Sequence, residues 1–453
     1  MYFAATLYWI TGVMVLYGSM PGIVGMLVNA LLVAYLALFP ALFAGIMHRL
    51  VIASGARALL AAPFVWVATE LGRTYTPPGG FPWVLLGYSQ AATLPIAQLA
   101  SVFGVYGVSA LVASVSAAAV FCVAAPSRRE RVIAAATVAA AILVVTVWGG
   151  LRAARAEWTR AGDPLQVGIV QGNVDQAEKW NAGRAASIFD EYLDKTRQVI
   201  GQGAELVAWP ESSTPFMFEE DVTAAQRVRT LARQARVPIL LGSDQIDWRV
   251  ENHRRVPDKS YNSAFLVEAD GRTAGVYRKV HLVPFGEYVP LRRWLFFAAP
   301  LVEAIGSGFA GGEEATVLPV GTHRISVAIC YEIVYPALVR QFVRGGSELL
   351  TTITNDAWFG NTSAPYQHFA QASMRAVEQG RYLVRSANTG ISGIVDPYGR
   401  VLAQTEIFRP ATVVGSVRLL RELTIYGRTG DVFAYVSVGI TLAMLGLGSR
   451  RVQ

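Results

Sequence analysis

The chain has 453 residues, of which 53% are hydrophobic and only 16% are charged. Because a soluble domain usually carries about 25% charged residues, this composition excludes an ordinary soluble protein and predicts segments that lie in lipid. The formal net charge is +7. No basic run with interleaved aromatic residues accompanies that charge, so we predict no nucleic-acid partner.

Residues 1–150 are almost wholly apolar and predict a transmembrane helix bundle of about five spans. A C-terminal transmembrane helix is predicted over 430–450. Each segment approaches the roughly 20 residues that cross about 30 Å of hydrocarbon. The predicted spans are 3–18, 24–47, 55–72, 98–124, 131–149 and 432–448. A cleaved signal peptide is the alternative for the first span, but no basic region or clear cleavage site supports it.

Basic residues beside the predicted spans indicate the orientation of the chain. They are Arg49, Arg57, Arg128, Arg129, Arg131, Arg450 and Arg451. All of them fall on one side of the membrane if the N-terminus is cytoplasmic, as the excess of basic residues in cytoplasmic loops requires. The region 151–430 is then expected on the opposite side, which in a bacterium is the outer, periplasmic face of the inner membrane.

The loop Thr74–Gln90, between the third and fourth predicted spans, is rich in proline, glycine and aromatic residues such as Trp83. Aromatic residues near the end of a span usually form a belt at the membrane interface. A role in shaping the path of a lipid toward a site is the alternative.

From Pro164 onward, short β-rich runs alternate with amphipathic stretches, which predicts an α/β layered domain rather than a β-sandwich. The predicted strands are Gln166–Gln171, Leu206–Trp209, Ile239–Gly242, Ser263–Glu268, Ile325–Ile329, Leu349–Thr354 and Ile391–Val395. The predicted helices are Ala182–Ile200, Val222–Ala235, Tyr335–Gly345 and Gln367–Gly380. Residues 401–425 indicate at most a terminal strand pair.

Three polar residues directly follow apolar, strand-like runs: Glu211, Lys279 and Cys330. Loops at strand ends are where α/β folds place reactive groups. Each residue alone has a structural alternative, because Cys330 fits a small buried side chain, Glu211 a helix cap and Lys279 a solvated charge. Cys122, the other cysteine, lies in an apolar run. No disulfide, metal site or other cofactor is expected.

The motifs along the chain are more specific than these single residues. They are Gly80–Trp83, Gly87–Gln90, Gly168–Asn173, Trp209–Ser212, Tyr261–Ser263, Tyr277–Glu287, Ala328–Glu332, Thr354–Gly360, Gln367–His368, Arg375–Ala376, Arg385–Gly390 and Tyr426–Gly430. In this order they resemble the nitrilase superfamily and, within it, the apolipoprotein N-acyltransferase family. The resemblance covers nearly the whole chain, and soluble nitrilases have no counterpart to the membrane loop.

The resemblance implies an α-β-β-α sandwich over 160–425 and a Glu–Lys–Cys catalytic triad. Cys330 would be the nucleophile and Glu211 the general base that takes its proton. Lys279 would stabilise the oxyanion, together with a backbone N–H near Tyr331.

The family also implicates four supporting residues: Trp180, Glu287, Tyr331 and Glu332. Glu287 would orient Lys279 or polarise the site. Trp180 has packing as its alternative, and Glu332 has an ion pair with an arginine. The stretch Pro290–Gly312, rich in aromatic residues, would be either a buried helix or an arm that covers the site and dips into the lipid interface.

The implied reaction is a ping-pong acyl transfer. A phospholipid donates an acyl chain to Cys330, and the resulting thioester acylates the α-amine of a lipoprotein whose N-terminal cysteine carries diacylglycerol. A membrane-tethered amidase with a small soluble substrate and a scaffold with an inactive domain are the competing interpretations. Members of the family commonly have eight spans, whereas six are predicted for this chain.

Overall fold

We describe the fold from a computed structural model, in which residues 1–18, 20–76, 79–176, 178–179, 181–289 and 308–452 can be described. Trp180 and most of the stretch Pro290–Gly312 lie outside the described residues, so the expectations for them stay predictions.

The N-terminal third is helical. Its helices are α1 (Tyr2–Thr6), α2 (Trp9–Leu16), α3 (Gly22–Ser54), α4 (Ala62–Tyr75), α5 (Leu94–Ala97), α6 (Ala100–Ala124) and α7 (Arg128–Arg155). A 3₁₀ turn over Gly55–Ala61 joins α3 to α4, so that helical structure continues from Gly22 to Tyr75. Two short helices, α1 and α2, occupy the region of the first predicted span. The second and third predicted spans lie in one continuous helical segment.

Among the described residues, three helical segments are long and apolar enough to cross a membrane: Gly22–Tyr75, Ala100–Ala124 and Arg128–Thr159. A shorter apolar stretch, Val432–Gly448, belongs to the C-terminal helix. Hydrophobic side chains such as Leu31, Leu143 and Val144 are exposed on these helices. Such surfaces are stable in lipid but not in water, which makes this a membrane protein.

After the N-terminal helices, the described residues form two six-stranded sheets. The first has the order β12-β1-β2-β3-β4-β5 and the second the order β11-β10-β9-β8-β7-β6. Strands β1 to β6 are Asp163–Gln171, Leu206–Ala208, Ile239–Glu251, Arg254–Val267, Thr273–Arg278 and Val317–Val320. Strands β7 to β12 are His323–Ile329, Leu349–Thr354, Leu383–Ala387, Gly393–Val395, Val401–Gln404 and Ala411–Leu419.

Helices cover the outer face of each sheet. They are α8 (Ala182–Gly201) and α9 (Val222–Ala235) on the first sheet, and α10 (Pro336–Arg344) and α11 (Ala364–Gln379) on the second. Between the sheets, apolar side chains of both form one core that includes Ile169, Leu266 and Val327. The predicted α-β-β-α sandwich beside a bundle of apolar helices is therefore confirmed. The chain ends in α12 (Ile425–Thr429) and α13 (Val432–Val452).

All of the predicted strands exist. Other strands were missed, and some of the predicted strands were too short. The hairpin of β3 and β4 extends far beyond its predicted strands. Its tip is polar and exposed, so it lacks the apolar pattern on which the prediction of strands depends. Strand β9 is fully buried and carries Arg385, so no alternating pattern marks it. The expected terminal strand pair is wrong, since β11 and β12 lie at the edges of different sheets.

The bundle and the sandwich are joined by buried polar contacts. Glu378 of α11 accepts a hydrogen bond of 2.8 Å from the backbone N–H of Val105, next to the kink of α6 at Gly104. Arg375, one turn earlier on α11, donates to the Tyr88 hydroxyl at 2.8 Å. These bonds satisfy groups that would otherwise be buried without partners.

Gly242, within β3, allows the loop that follows β2 to approach the strand closely. A Cβ there would lie 2.5 Å from the Pro210 carbonyl oxygen and 2.7 Å from the Glu211 Cα. Because these are backbone atoms, we expect Gly242→Ala to destabilise the protein by about 1–3 kcal/mol. Thermal unfolding in detergent measures this effect.

The matched control is Gly201→Ala at the end of α8, where nothing lies within 4 Å of the new methyl group. That variant should unfold at the wild-type temperature or slightly above it. Equal unfolding temperatures for both variants would show that the loop does not require glycine.

Candidate active site

Cys330 lies directly after β7, in a conformation that few residues adopt. Its φ is +52°, and a 3₁₀ turn over Cys330–Val334 begins there. A non-glycine residue in the left-handed region costs of order 1–3 kcal/mol and persists only where its surroundings hold it. The side chain is buried. The thiol is close enough to Glu211 and Lys279 for both charges to act on it.

Glu211 and Lys279 meet at this edge, after β2 and β5 respectively. The Lys279 Nζ lies 3.5 Å from Glu211 Oε1 and 2.7 Å from Glu287 Oε1. Only 1% of the Lys279 side chain is exposed. Burial lowers the pKa of Lys279, but the carboxylates of Glu287 and Glu211 outweigh it, so the pKa lies above its usual range. Lys279 is therefore a permanently charged ammonium.

The charges of Glu211 and Lys279 both shift the pKa of the Cys330 thiol. Burial raises its pKa, the Glu211 carboxylate raises it further, and Lys279 offsets only part of the increase. The resting residue is therefore a neutral thiol, which must lose its proton before it can attack a carbonyl. Glu211 is the neighbouring carboxylate that can accept this proton.

Two asparagines orient Glu211. The Asn262 side chain donates to Glu211 Oε1 at 2.6 Å, and the backbone N–H of Asn355 donates to Oε2 at 2.8 Å. Asn262 also reaches Glu287 Oε1 at 3.3 Å. Both asparagines belong to motifs named above, but the sequence assigned a role to neither. Asn355 directly follows β8, which is a sequence signal, whereas Asn262 lies within β4 and has none.

Glu287 is the nearer of the two carboxylates that hold Lys279. Its second oxygen accepts from the backbone N–H of Val283 at 2.8 Å. The carboxylate therefore holds Lys279 and closes its own loop at the same time, a geometry that fits the predicted orienting role.

Glu332 is fully buried and holds two loops together. Its Oε1 accepts from the Tyr277 hydroxyl at 2.7 Å and from the N–H groups of Val280 and His281 at 2.6 and 3.0 Å. Its Oε2 accepts from the N–H of Ile329 at 2.7 Å. In the described part of the chain its partners are a hydroxyl and backbone N–H groups, with no arginine among them.

Tyr331 connects the site with the membrane loop. Its ring stacks on Trp83 at 6.1 Å between centroids. Trp83 is 1% exposed, and its indole N–H donates to Gln367 Oε1 at 2.8 Å. The interfacial belt is therefore the wrong interpretation of Trp83, which forms a wall of the site.

Among the described residues, no cluster of three or more His, Cys, Asp or Glu side chains could hold a metal ion.

Comparison with known proteins identifies the family. The carbon-nitrogen hydrolase family model matches residues 166–421, and the model of the apolipoprotein N-acyltransferase N-terminal domain matches residues 1–118. An apolipoprotein N-acyltransferase of Geobacter metallireducens is 39% identical over 453 residues, which is 99% of this chain and 85% of the relative. This chain belongs to the apolipoprotein N-acyltransferase family.

A second family member, from Methylococcus capsulatus, is 35% identical over 426 residues, covering 92% of this chain and 79% of its own. Among solved structures, an amidase of the nitrilase superfamily from Nesterenkonia is similar to 61% of this chain and 97% of its own. Its TM-score is 0.45, and it is 20% identical.

The free energy of unfolding should depend on pH through the carboxyl group of Glu332. Burial raises its pKa from 4.5 to about 7, so the folded protein binds an extra proton between these values. The free energy of unfolding must then fall as pH rises through this window, by up to about 3 kcal/mol. Glu332→Gln does not titrate. The stability of the wild type relative to this variant should therefore decrease between pH 4.5 and pH 7.5, as measured by denaturant unfolding.

Tyr277→Phe is the companion variant, because the Tyr277 hydroxyl bond lowers the pKa of Glu332. Without that bond the decline should extend to higher pH. Parallel stability curves for the wild type and Glu332→Gln would contradict the assignment.

Proposed function

We propose that this protein transfers an acyl chain from a membrane phospholipid, through a thioester on Cys330, to the α-amine of a diacylglyceryl-cysteine at a lipoprotein N-terminus. Its membership of the apolipoprotein N-acyltransferase family supports this reaction class. The observation that carries the proposal is the convergence of Glu211, Lys279 and Cys330 in one buried site whose wall includes a loop of the membrane part.

In the first half-reaction, Glu211 takes the thiol proton while the Cys330 sulfur attacks the ester carbonyl. The carbonyl oxygen becomes an anion, and Lys279 supplies the fixed positive charge that stabilises it. Glu211 then returns the proton to the departing lysophospholipid oxygen. The product is a thioester on Cys330.

In the second half-reaction, the lipoprotein amine attacks the thioester and gives a proton to Glu211. The C–S bond breaks, its electron pair stays on sulfur, and the thiolate regains a proton from Glu211. Both substrates are anchored in lipid, so an active site next to the bilayer shortens the path of each.

The other predicted site residues would support the three catalytic side chains. Glu287 would hold Lys279, Glu332 would hold the loops that carry Lys279 and Cys330, and the backbone N–H near Tyr331 would assist at the oxyanion. Trp180 stays a predicted supporting residue.

The domain organisation and topology are also part of the proposal. A transmembrane bundle over 1–150 and a helix over 430–450 would flank a catalytic domain over 160–425. The basic residues beside the spans favour a catalytic domain on the periplasmic side of a bacterial inner membrane.

The test uses the full chain, purified in detergent and incubated with phospholipid alone. Wild type should gain the mass of one acyl chain, and hydroxylamine should remove it. Cys330→Ala should gain none. Lys279→Met should form the adduct about 10²–10³ times more slowly, because one oxyanion donor is typically worth that factor. Intact mass spectrometry over time measures all three.

A folded wild type that forms no adduct, yet hydrolyses small amides, would instead establish the tethered amidase. A folded wild type that is inactive in both assays, and whose role in the cell survives Cys330→Ala, would point to the scaffold.

A further inference from the structure

The imidazole of His368 lies against the backbone of the residue proposed as the nucleophile. Its Nε2 is 3.1 Å from the carbonyl oxygen of Cys330. A carbonyl oxygen can only accept a hydrogen bond, so Nε2 carries the hydrogen and donates it. His368 lies on α11, and its side chain is completely buried. The bond therefore forms away from water, where a hydrogen bond is electrostatically stronger.

An aspartate and an arginine hold the other ring nitrogen. Asp356 Oδ1 lies 3.1 Å from His368 Nδ1, and Arg385 Nη2 lies 2.9 Å from it. Arg385 also donates to Asp356 Oδ2 at 2.9 Å. Nε2 carries a hydrogen both in the neutral ring that accepts from Arg385 and in the imidazolium that donates to Asp356. The bond to Cys330 is therefore the same in both protonation states.

Aromatic neighbours fix the plane of the imidazole. The Trp83 ring packs on it at 5.3 Å between centroids, and the Phe359 ring meets it edge-on at 6.0 Å. Arg385 is itself anchored, because its Nε donates to the carbonyl oxygen of Ile391 at 3.1 Å. The hydrogen on Nε2 consequently has one direction.

The Cys330 carbonyl shares a peptide unit with the Tyr331 N–H, the donor expected at the oxyanion. A peptide unit is planar and almost always trans, so its C=O and N–H point in opposite directions. A hydrogen bond that holds the carbonyl therefore fixes the direction of the N–H as well. The bond also polarises the peptide, since hydrogen bonds in series strengthen one another.

This peptide unit follows a residue whose backbone needs support. The φ of Cys330 is +52°, in the left-handed region. Such a conformation persists only where its surroundings hold it. Release of the carbonyl would let the peptide unit rotate and turn the Tyr331 N–H away from its present direction.

We propose that His368 is a positioning residue, which holds the Cys330–Tyr331 peptide by its carbonyl so that the Tyr331 N–H stays directed at the oxyanion. Asp356 and Arg385 position His368 in turn. The inference rests on the proposed function, in which Cys330 attacks a carbonyl group. It predicts a defect confined to reactions that form an oxyanion, because the groups that activate the thiol are left in place.

The experiment compares His368→Leu, which removes the donor, with His368→Gln, whose side-chain amide can place an N–H near the position of Nε2. Two rates are measured on the detergent-purified full chain: acyl-adduct formation with phospholipid, and alkylation of Cys330 by iodoacetamide at pH 8. Alkylation displaces iodide from a saturated carbon and forms no oxyanion. Cys330→Ala is the blank for both rates.

The two rates should separate in His368→Leu. Adduct formation should slow about 10- to 100-fold, less than the roughly 10²–10³ that follows complete loss of an oxyanion donor, because the N–H is loosened rather than removed. Alkylation should stay within about threefold of wild type, since it needs the thiolate and no oxyanion donor. His368→Gln should form the adduct at least about fivefold faster than His368→Leu.

The matched control is Ser373→Ala, on the same helix. The Ser373 hydroxyl is buried and donates to the carbonyl oxygen of Phe369 within α11 at 2.8 Å. This variant removes a buried polar group whose hydrogen bond stays inside the helix, and it should keep both wild-type rates.

Equal losses of both rates in His368→Leu would reveal a general collapse of the site and overturn the inference. A wild-type adduct rate in His368→Leu, or equal adduct rates in His368→Leu and His368→Gln, would overturn it as well. If His368→Leu does not fold, His368→Asn takes its place, because its shorter amide cannot reach the Cys330 carbonyl.

The proposed function fails separately, if wild type forms no acyl adduct with phospholipid. The same comparison is then made with hydrolysis of a small amide, which also passes through an oxyanion, and the same separation from alkylation would support the role of His368. A wild type inactive toward both substrates would overturn the inference together with the proposed function.

Discussion

The burial of the Lys279 ammonium group constrains the rest of the site. A lysine removed from water is stable as a cation only when carboxylates and hydrogen bonds replace its hydration. Glu287 and Glu211 supply this charge at 2.7 and 3.5 Å. The N–H donors of Asn262 and Asn355 hold the Glu211 carboxylate in place.

These groups come from loops that are distant in sequence, so their loops must be joined. Glu332 does this from the turn that begins at Cys330, because its carboxylate binds the N–H groups that follow Lys279 as well as that of Ile329. A movement of one loop therefore carries the other with it. The left-handed conformation of Cys330 is held in this frame, with His368 on its carbonyl oxygen.

Much of the fold followed from the pattern of the sequence, and part of the site did not. Apolar runs bounded by polar residues predicted the central strands, and the helix patterns were recovered within a few residues. Strand β9 was missed because Arg385, its buried cation, resembles a surface residue until Asp356 is seen beside it. Trp83 was misread because its partners, Tyr331 and Gln367, lie about 250 to 280 residues further along the chain. Such long-range pairings leave no local signal.

The packing of Trp83 on Tyr331 and His368 has a consequence for how the protein can be divided. The boundary between apolar helices and α/β sandwich is clear in the sequence, yet no boundary exists at the turn of Cys330, where a ring from one part completes the interior of the other. A sandwich excised from its helices would lose the Trp83 ring and expose Tyr331 and His368 to water. We therefore expect the sandwich to need its helices in order to keep this turn buried.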